Sequence, residues 1–381
     1  MRYTSIKLAI WSPAKPIMDS TLPHTGYARL TPLAARTVLV LLLLVALVFV
    51  GVTLSPLAHG YADKDRPGEG DIALYRAKLE RINAGQDYYE AAGAEMRVRG
   101  YPTRSVFNWR IPLHFWLIGW MPKVQFGKAL LGALALALML VAFEALARED
   151  VNRIGRPVAC ILLLTGPLIP CILGNLFVMP VLWAGVLIAL SICAYGLRRP
   201  GWGVGFGLLA IFIRELAMPY CLVAVGLAWW HKRRGELAAW TVGLVVWAVY
   251  FGLHWLQVTD LIMPGDRAHR ESWVQFGGAA QVISNAQMNA YLLLLPQWVT
   301  GLYFVAAMFG FAGWHTPLGL RAGLTACLFV AAFGIAGQEL NQYWGSLIAP
   351  LLCFGVVRFP ASLCDLWRAA AWQPVLVNSQ T

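Results

Sequence analysis

Between Arg36 and Asp63 the chain carries no charged residue. The core of that run, residues 38–57, is long enough at the helical rise of ~1.5 Å per residue to cross a hydrocarbon layer of roughly 30 Å. Few folds are open to such a segment. Lipid offers no hydrogen bonds, so each backbone N–H and C=O must be satisfied inside the segment, which leaves a helix. Further apolar runs follow at 127–147, 157–174, 176–197, 201–213, 216–230, 237–257, 286–312, 322–337 and 343–357. Only 13% of the residues are charged against 59% hydrophobic, roughly half the charged share of a soluble domain. The expected fold is an all-α integral membrane protein of about ten transmembrane helices, with amphipathic interfacial helices in a long first outer loop.

A net charge of +11 would suggest nucleic acid as the partner of a soluble chain. Here the cations sit between apolar runs, and the positive-inside rule explains them without nucleic acid. Alternation from an inner N-terminus puts Arg148, Arg153 and Arg156, then Arg198 and Arg199, then Lys232, Arg233 and Arg234, then Arg321, then Arg358 and Arg368 on the cytoplasmic face. The expected organisation is a cytoplasmic segment 1–36, one membrane domain 37–357 that includes an outer loop 58–126, and a cytoplasmic tail 358–381. A cleaved signal peptide competes for the first run, but the 36 residues ahead of it exceed an ordinary n-region, so an uncleaved anchor is the better reading. Cys160, Cys171, Cys193, Cys221, Cys327 and Cys353 lie in apolar stretches without a disulfide or zinc spacing and read as small buried hydrophobes. No metal-ligand cluster, phosphate-cradling glycine loop or GxSxG elbow is present.

Two features bend the scheme. The fifth and sixth runs are short and meet at Arg214 and Glu215, an ionisable pair at or below the outer membrane surface. The eighth is long and carries Pro296, which predicts an interfacial helix running into a span, because proline removes a backbone donor and kinks a helix.

The outer loop is where charge and polarity concentrate. Ile72, Tyr75, Leu79 and Ile82 recur at helical spacing, predicting an amphipathic helix that Asp71 opens and that ends near Gly85. Asp87 and Glu90 have capping-box spacing and predict a second helix that stops at Gly100 and Pro102. The apolar, tryptophan-rich run 111–120 is too short to span and predicts a helix lying at the interface.

This order of features resembles the GT-C class of integral membrane glycosyltransferases: one span, Gly70 and Asp71 with Tyr75 a turn on, Gly85 with Tyr88 and Tyr89, a Pro-Leu-containing interfacial helix, and a multi-span remainder. It is most similar to the bacterial branch that uses polyprenyl-phosphate sugars, the mannosyl- and arabinosyltransferase group. The likeness covers residues 37 to 147 in order and spacing. Beyond them it extends to span count, a charged site between the fifth and sixth runs, and a polar loop before the last. The resemblance implies transfer of a hexose or pentose from a polyprenyl-phosphate carrier to a lipid, glycan or protein acceptor facing the periplasm of the bacterial inner membrane. It also implies an acidic residue of the first outer loop as base.

On that resemblance Asp71 is the candidate base and Asp87 the reserve, because a carboxylate can take the proton of an acceptor hydroxyl as it attacks the anomeric carbon. Read from the residues alone, Asp71 is equally a helix N-cap and Asp87 a capping-box residue. Arg214 is the candidate for the donor phosphate with Glu215 orienting it, and the bland alternative is that the two neutralise each other. Tyr75, Tyr88 and Tyr89, then Arg267, His269 and Arg270, then Gln338, Glu339 and Tyr343 are candidate substrate contacts. The run 266–271 reads otherwise as a solvated face, and Gln342-Tyr343 stands where the family often has Arg-Tyr. His114 reads as a membrane-surface residue rather than a metal ligand. No cofactor is required, although a carboxylate and a lipid phosphate suffice to hold a divalent cation. A transporter or lipid flippase and a non-catalytic scaffold are the competing classes.

Overall fold

The computed structural model describes residues 25–54, 70–149, 154–268, 272–337 and 339–371, apart from the side chains of Glu339 and Leu340. Arg153, His269, Arg270, Glu271 and Gln338, most of the N-terminal segment and the end of the C-terminal tail lie outside the described residues. Sixteen α-helices account for most of the described chain, which contains no β-strand beyond one isolated bridge between Val274 and Ala336.

Six of these helices are long and apolar enough to cross a membrane: α1 (Pro32–Leu54), α6 (Gln125–Glu149), α7 (Gly155–Ile172), α11 (Arg234–Asp260), α15 (Pro317–Ile335) and α16 (Ala349–Ala370). Four shorter apolar helices fall on the remaining expected runs: α8 (Pro180–Gly196), α9 (Pro200–Ile213), α10 (Met218–Trp230) and α14 (Gln297–Ala312). The chain is therefore an all-α, multi-pass membrane protein. α1 and α11 present leucine, valine and tryptophan side chains outward, as a lipid-facing helix does. In contrast α8 is buried along nearly its whole length and forms the axis of the core. Where α14 crosses α16, a Cβ on Gly310 would lie 1.9 Å from the Gly355 carbonyl oxygen. The two backbones thus touch through small residues, the usual way membrane helices gain dispersion contact.

Outside residues 70–124 the structure departs from the sequence reading in four places. The helix ahead of Pro296 is a single turn, α13 (Ala290–Leu293), and Pro296 separates it fully from α14, which it caps, because a residue ahead of proline is pushed out of the helical region. The stretch before the last span, Glu339–Leu347, is a 3-10 segment, so α16 begins at Ala349 and runs on to Ala370. Its charges are accommodated: the Arg358 guanidinium lies 5.0 Å from the Trp314 ring centroid, and Asp365 accepts a 2.7 Å hydrogen bond from the Thr25 amide. Arg321 is not a loop residue but a buried member of α15, 3.4 Å from Glu236 and stacked over Tyr195 at 3.6 Å. Cys327 is exposed, unlike the other five cysteines of the apolar runs.

At one end of the bundle the start of α1 and the end of α16 meet, with Arg36 Nε donating to the Ala370 carbonyl at 3.1 Å. Glu149, Tyr195, Glu236, Trp314 and Arg321 tie helix ends together at this same level, through a 2.9 Å bond from Trp314 to Glu149 and the Arg321 contacts. Antiparallel alternation carries the end of α9, the end of α11, the start of α16 and the residue 70–124 segment to the opposite end.

Candidate functional site

The 70–124 segment folds as four helices packed over that opposite end: α2 (Gly70–Asn83), α3 (Tyr88–Val98), α4 (Val106–Trp109) and α5 (Leu113–Gly119). The first begins and stops as expected; Gly85, with φ +93, provides the left-handed turn after it. Its buried face differs by one step from the expected stripe. Leu74, Tyr75, Lys78, Leu79 and Ile82 point inward, while Ile72 is 37% exposed. Asp87 caps α3, its carboxylate accepting from the Tyr89 amide at 2.7 Å. The 111–120 run forms α5, but it does not simply lie on a surface: His114, Phe115 and Ile118 are buried, and Phe115 meets the Tyr75 ring edge-on at 5.6 Å.

The side chain around which these elements converge is Arg110. Its backbone holds φ +68, a conformation costly for a residue with a Cβ. The Tyr88 hydroxyl, donating to the carbonyls of Arg110 (2.7 Å) and Trp109, anchors it there. The guanidinium then sits nearly buried, with Nε donating to the Tyr75 hydroxyl at 2.7 Å, Nη1 to the Phe107 carbonyl and Nη2 to the Tyr343 hydroxyl at 3.2 Å. Asp71 Oδ2 lies 4.0 Å from Nη2, beyond hydrogen-bond reach, and the Asp71 side chain is 25% exposed. One cation thus joins the 70–124 segment to the 3-10 segment ahead of α16.

Arg214 and Glu215 lie beneath this group at the break between α9 and α10, 2.6 Å apart and both buried. Arg214 acts electrostatically on both Tyr75 and Tyr343, and Glu215 on Arg110, so the pair belongs to the same constellation. The two phenols are held protonated: burial raises both, with Arg110 and Arg214 opposing. On the flank, the Tyr89 hydroxyl meets His254 Nδ1 at 3.1 Å. His114 is buried against Trp183, and that burial drives its pKa down to about 3, so it is a neutral core imidazole and not a surface residue.

The structure therefore brings together Asp71, Tyr75, Tyr343, Arg214 and Glu215, with Tyr88 and Tyr89 in support. It sets others apart. Asp87 is exposed, with its carboxylate engaged at the start of α3. Arg267 lines a separate cavity of about 400 Å³ with Arg97 and Asp266, which form a two-bonded ion pair at 2.9 and 3.0 Å. That pair, by hydrogen bonding first, lowers the Asp266 pKa to about 2. Glu339 begins the 3-10 segment. Among the described residues, no group of three or more His, Cys, Asp and Glu side chains has the geometry to hold a metal ion.

Sequence reasoning missed Arg110, Lys78 and His254. Arg110 gave one signal, as a lone cation directly ahead of an apolar tryptophan-rich run. Lys78 gave another, being three residues after Tyr75 and four after Leu74 on the buried stripe.

These elements define a class: a multi-pass helical membrane protein with an ionisable, largely desolvated site at one end of the bundle. Compared with known proteins, the chain matches no family model, no curated protein and no solved structure.

Proposed function

We propose that the protein is a membrane glycosyltransferase that moves a sugar from a polyprenyl-phosphate donor to an acceptor on the outer side of a bacterial inner membrane. The observation that carries the reading is the placement of one accessible carboxylate, Asp71, 4.0 Å from a desolvated guanidinium, Arg110, on a segment packed over the ends of membrane helices. Transfer to a hydroxyl needs a base beside a cation. Asp71 takes the acceptor proton as the hydroxyl oxygen bonds to the anomeric carbon. The bond from that carbon to the donor phosphate breaks, its electron pair leaves with the phosphate, and the guanidinium offsets the added charge. A carboxylate gripped by two guanidinium hydrogen bonds would be a poor base; the 4.0 Å gap leaves the Asp71 lone pairs free.

The phosphate role passes from Arg214 to Arg110. Arg214 is closed against Glu215 at 2.6 Å and is 2% exposed, so it serves as fixed charge beneath the site. Six long apolar helices and the four shorter ones support a ten-span arrangement with both termini cytoplasmic.

The test is transfer of radiolabelled hexose or pentose from polyprenyl phosphate in membranes containing the protein. Asp71→Asn is expected to keep expression and lower transfer by at least about 100-fold, the scale of a lost general base. Transfer at the wild-type rate would rule Asp71 out as base.

A further inference from the structure

Lys78 is the group in the constellation that the reaction above leaves unused. It lies on the buried face of α2 with no solvent exposure, and its Nζ has no hydrogen-bond partner among the described residues. Two aromatic rings flank the amine, those of Tyr75 and Phe115, each 5.7 Å away. An ammonium in that position has lost its water without gaining acceptors, and two cation–π contacts do not make up for that desolvation.

The charged and titratable groups around the amine come from each element packed on it. Asp71 and Tyr75 lie on α2 itself, Glu95 on α3, Arg110 between α4 and α5, and His254 on α11. Glu95 is already engaged by Arg81 at 2.5 Å and by Arg99. Asp71, without a hydrogen bond to either cation, lies 4.0 Å from the Arg110 guanidinium, which competes for its charge. Burial first, and the Arg110 charge second, bring the Lys78 pKa down to about 7.

We propose that above neutral pH Lys78 is a neutral amine in the resting protein and takes up one proton from solvent when a phosphodiester anion seats against Arg110. The anion cancels the guanidinium charge that repels an ammonium and adds an attraction of its own, so above neutrality the doubly cationic site exists only when occupied. This inference rests on the donor reading, because a polyprenyl-phosphate sugar is a phosphodiester. It makes donor binding weaken as pH rises above neutrality, and it lets the site ignore uncharged sugars.

The experiment is calorimetric titration of the full-length protein in lipid nanodiscs with methyl farnesyl phosphate, a phosphodiester that does not itself titrate near neutrality. Heats are compared in two non-phosphate buffers of different ionisation enthalpy. Close to one proton taken up per ligand is expected at about pH 8, and a much smaller uptake at about pH 6, where the amine is already charged. In Lys78→Met, uptake at the higher pH should vanish and affinity should fall. His114 cannot supply the signal, since its pKa of about 3 lies too far below. Wild-type binding without proton uptake at the higher pH, or the same uptake in Lys78→Met, overturns the role of Lys78 and leaves the donor reading standing. No binding of the phosphodiester at any pH overturns both. Should Lys78→Met fail to fold, the wild-type uptake at the two pH values decides alone.

Discussion

Arg110 uses all three of its guanidinium nitrogens on side-chain or carbonyl partners. Three of its contacts, to Tyr75, Phe107 and Tyr343, come from different parts of the chain and fix the plane of the fork. Lysine at this position retains the charge but presents a point donor that cannot make three contacts in a plane. Arg110→Lys is therefore expected to lower transfer by about 10-fold or more while leaving membrane expression intact, with Tyr75→Phe giving a smaller loss because it removes one of the three partners. Initial rates at saturating donor, alongside thermal melting of each variant, separate a catalytic loss from an unfolding one. Equal rates for wild type and Arg110→Lys would show that charge alone suffices. Of the residues gathered here, Asp71, Tyr75 and Tyr343 were legible in the sequence. Arg110 was not, because the backbone turn that aims it depends on a hydroxyl contributed by Tyr88, and no local pattern encodes that pairing.

At the scale of elements, caps and breaks were read well because glycine, proline and aspartate act on their own backbone. Gly85, Gly100 and Asp87 fall at the helix ends assigned to them. Helix faces were read less well: the inward stripe of α2 contains a lysine, and only the packing of α3 and α5 against it reveals that face as buried. Close helix crossings were invisible, since a glycine in an apolar run looks alike whether or not a partner lies against it. The structure separates such glycines. A Cβ at Gly355 would lie 2.3 Å from the Ala307 carbonyl oxygen, whereas one at Gly226 in α10 meets nothing within 4 Å. Gly355→Ala must push two backbones apart and is expected to destabilise by about 1–3 kcal/mol, as overpacking does. Gly226→Ala should stabilise by up to about 1 kcal/mol through helix propensity. Melting of the two purified variants tests the pair, and a Gly355→Ala variant as stable as wild type would remove the close α14–α16 crossing.

For the whole molecule, the distribution of charge decides which end of the bundle faces which solution. The end where α1 and α16 meet carries Arg148, Arg156, Lys232, Arg233 and Arg234 close to helix termini, and in the proposed topology the positive-inside rule is the ground for placing that end in the cytoplasm. The site end is not free of cations. Lys123 and Lys128 stand at the start of α6, lining a cleft of about 300 Å³ with Arg76 and Glu80 from the outer side of α2. Those lysines count against the proposed orientation, and the denser arginine clusters at the other end count for it. Under the proposed function the orientation has a direct consequence for chemistry, because a donor flipped to the outer leaflet would reach Asp71 only if the site end faces outward. With native cysteines replaced by alanine, a cysteine at Lys123 is expected to react with a membrane-impermeant maleimide in intact cells. A cysteine at Lys232 should react only after the membrane is opened. The reverse labelling pattern would place Asp71 and Arg110 in the cytoplasm, and a donor presented at the outer leaflet would then have no path to the carboxylate.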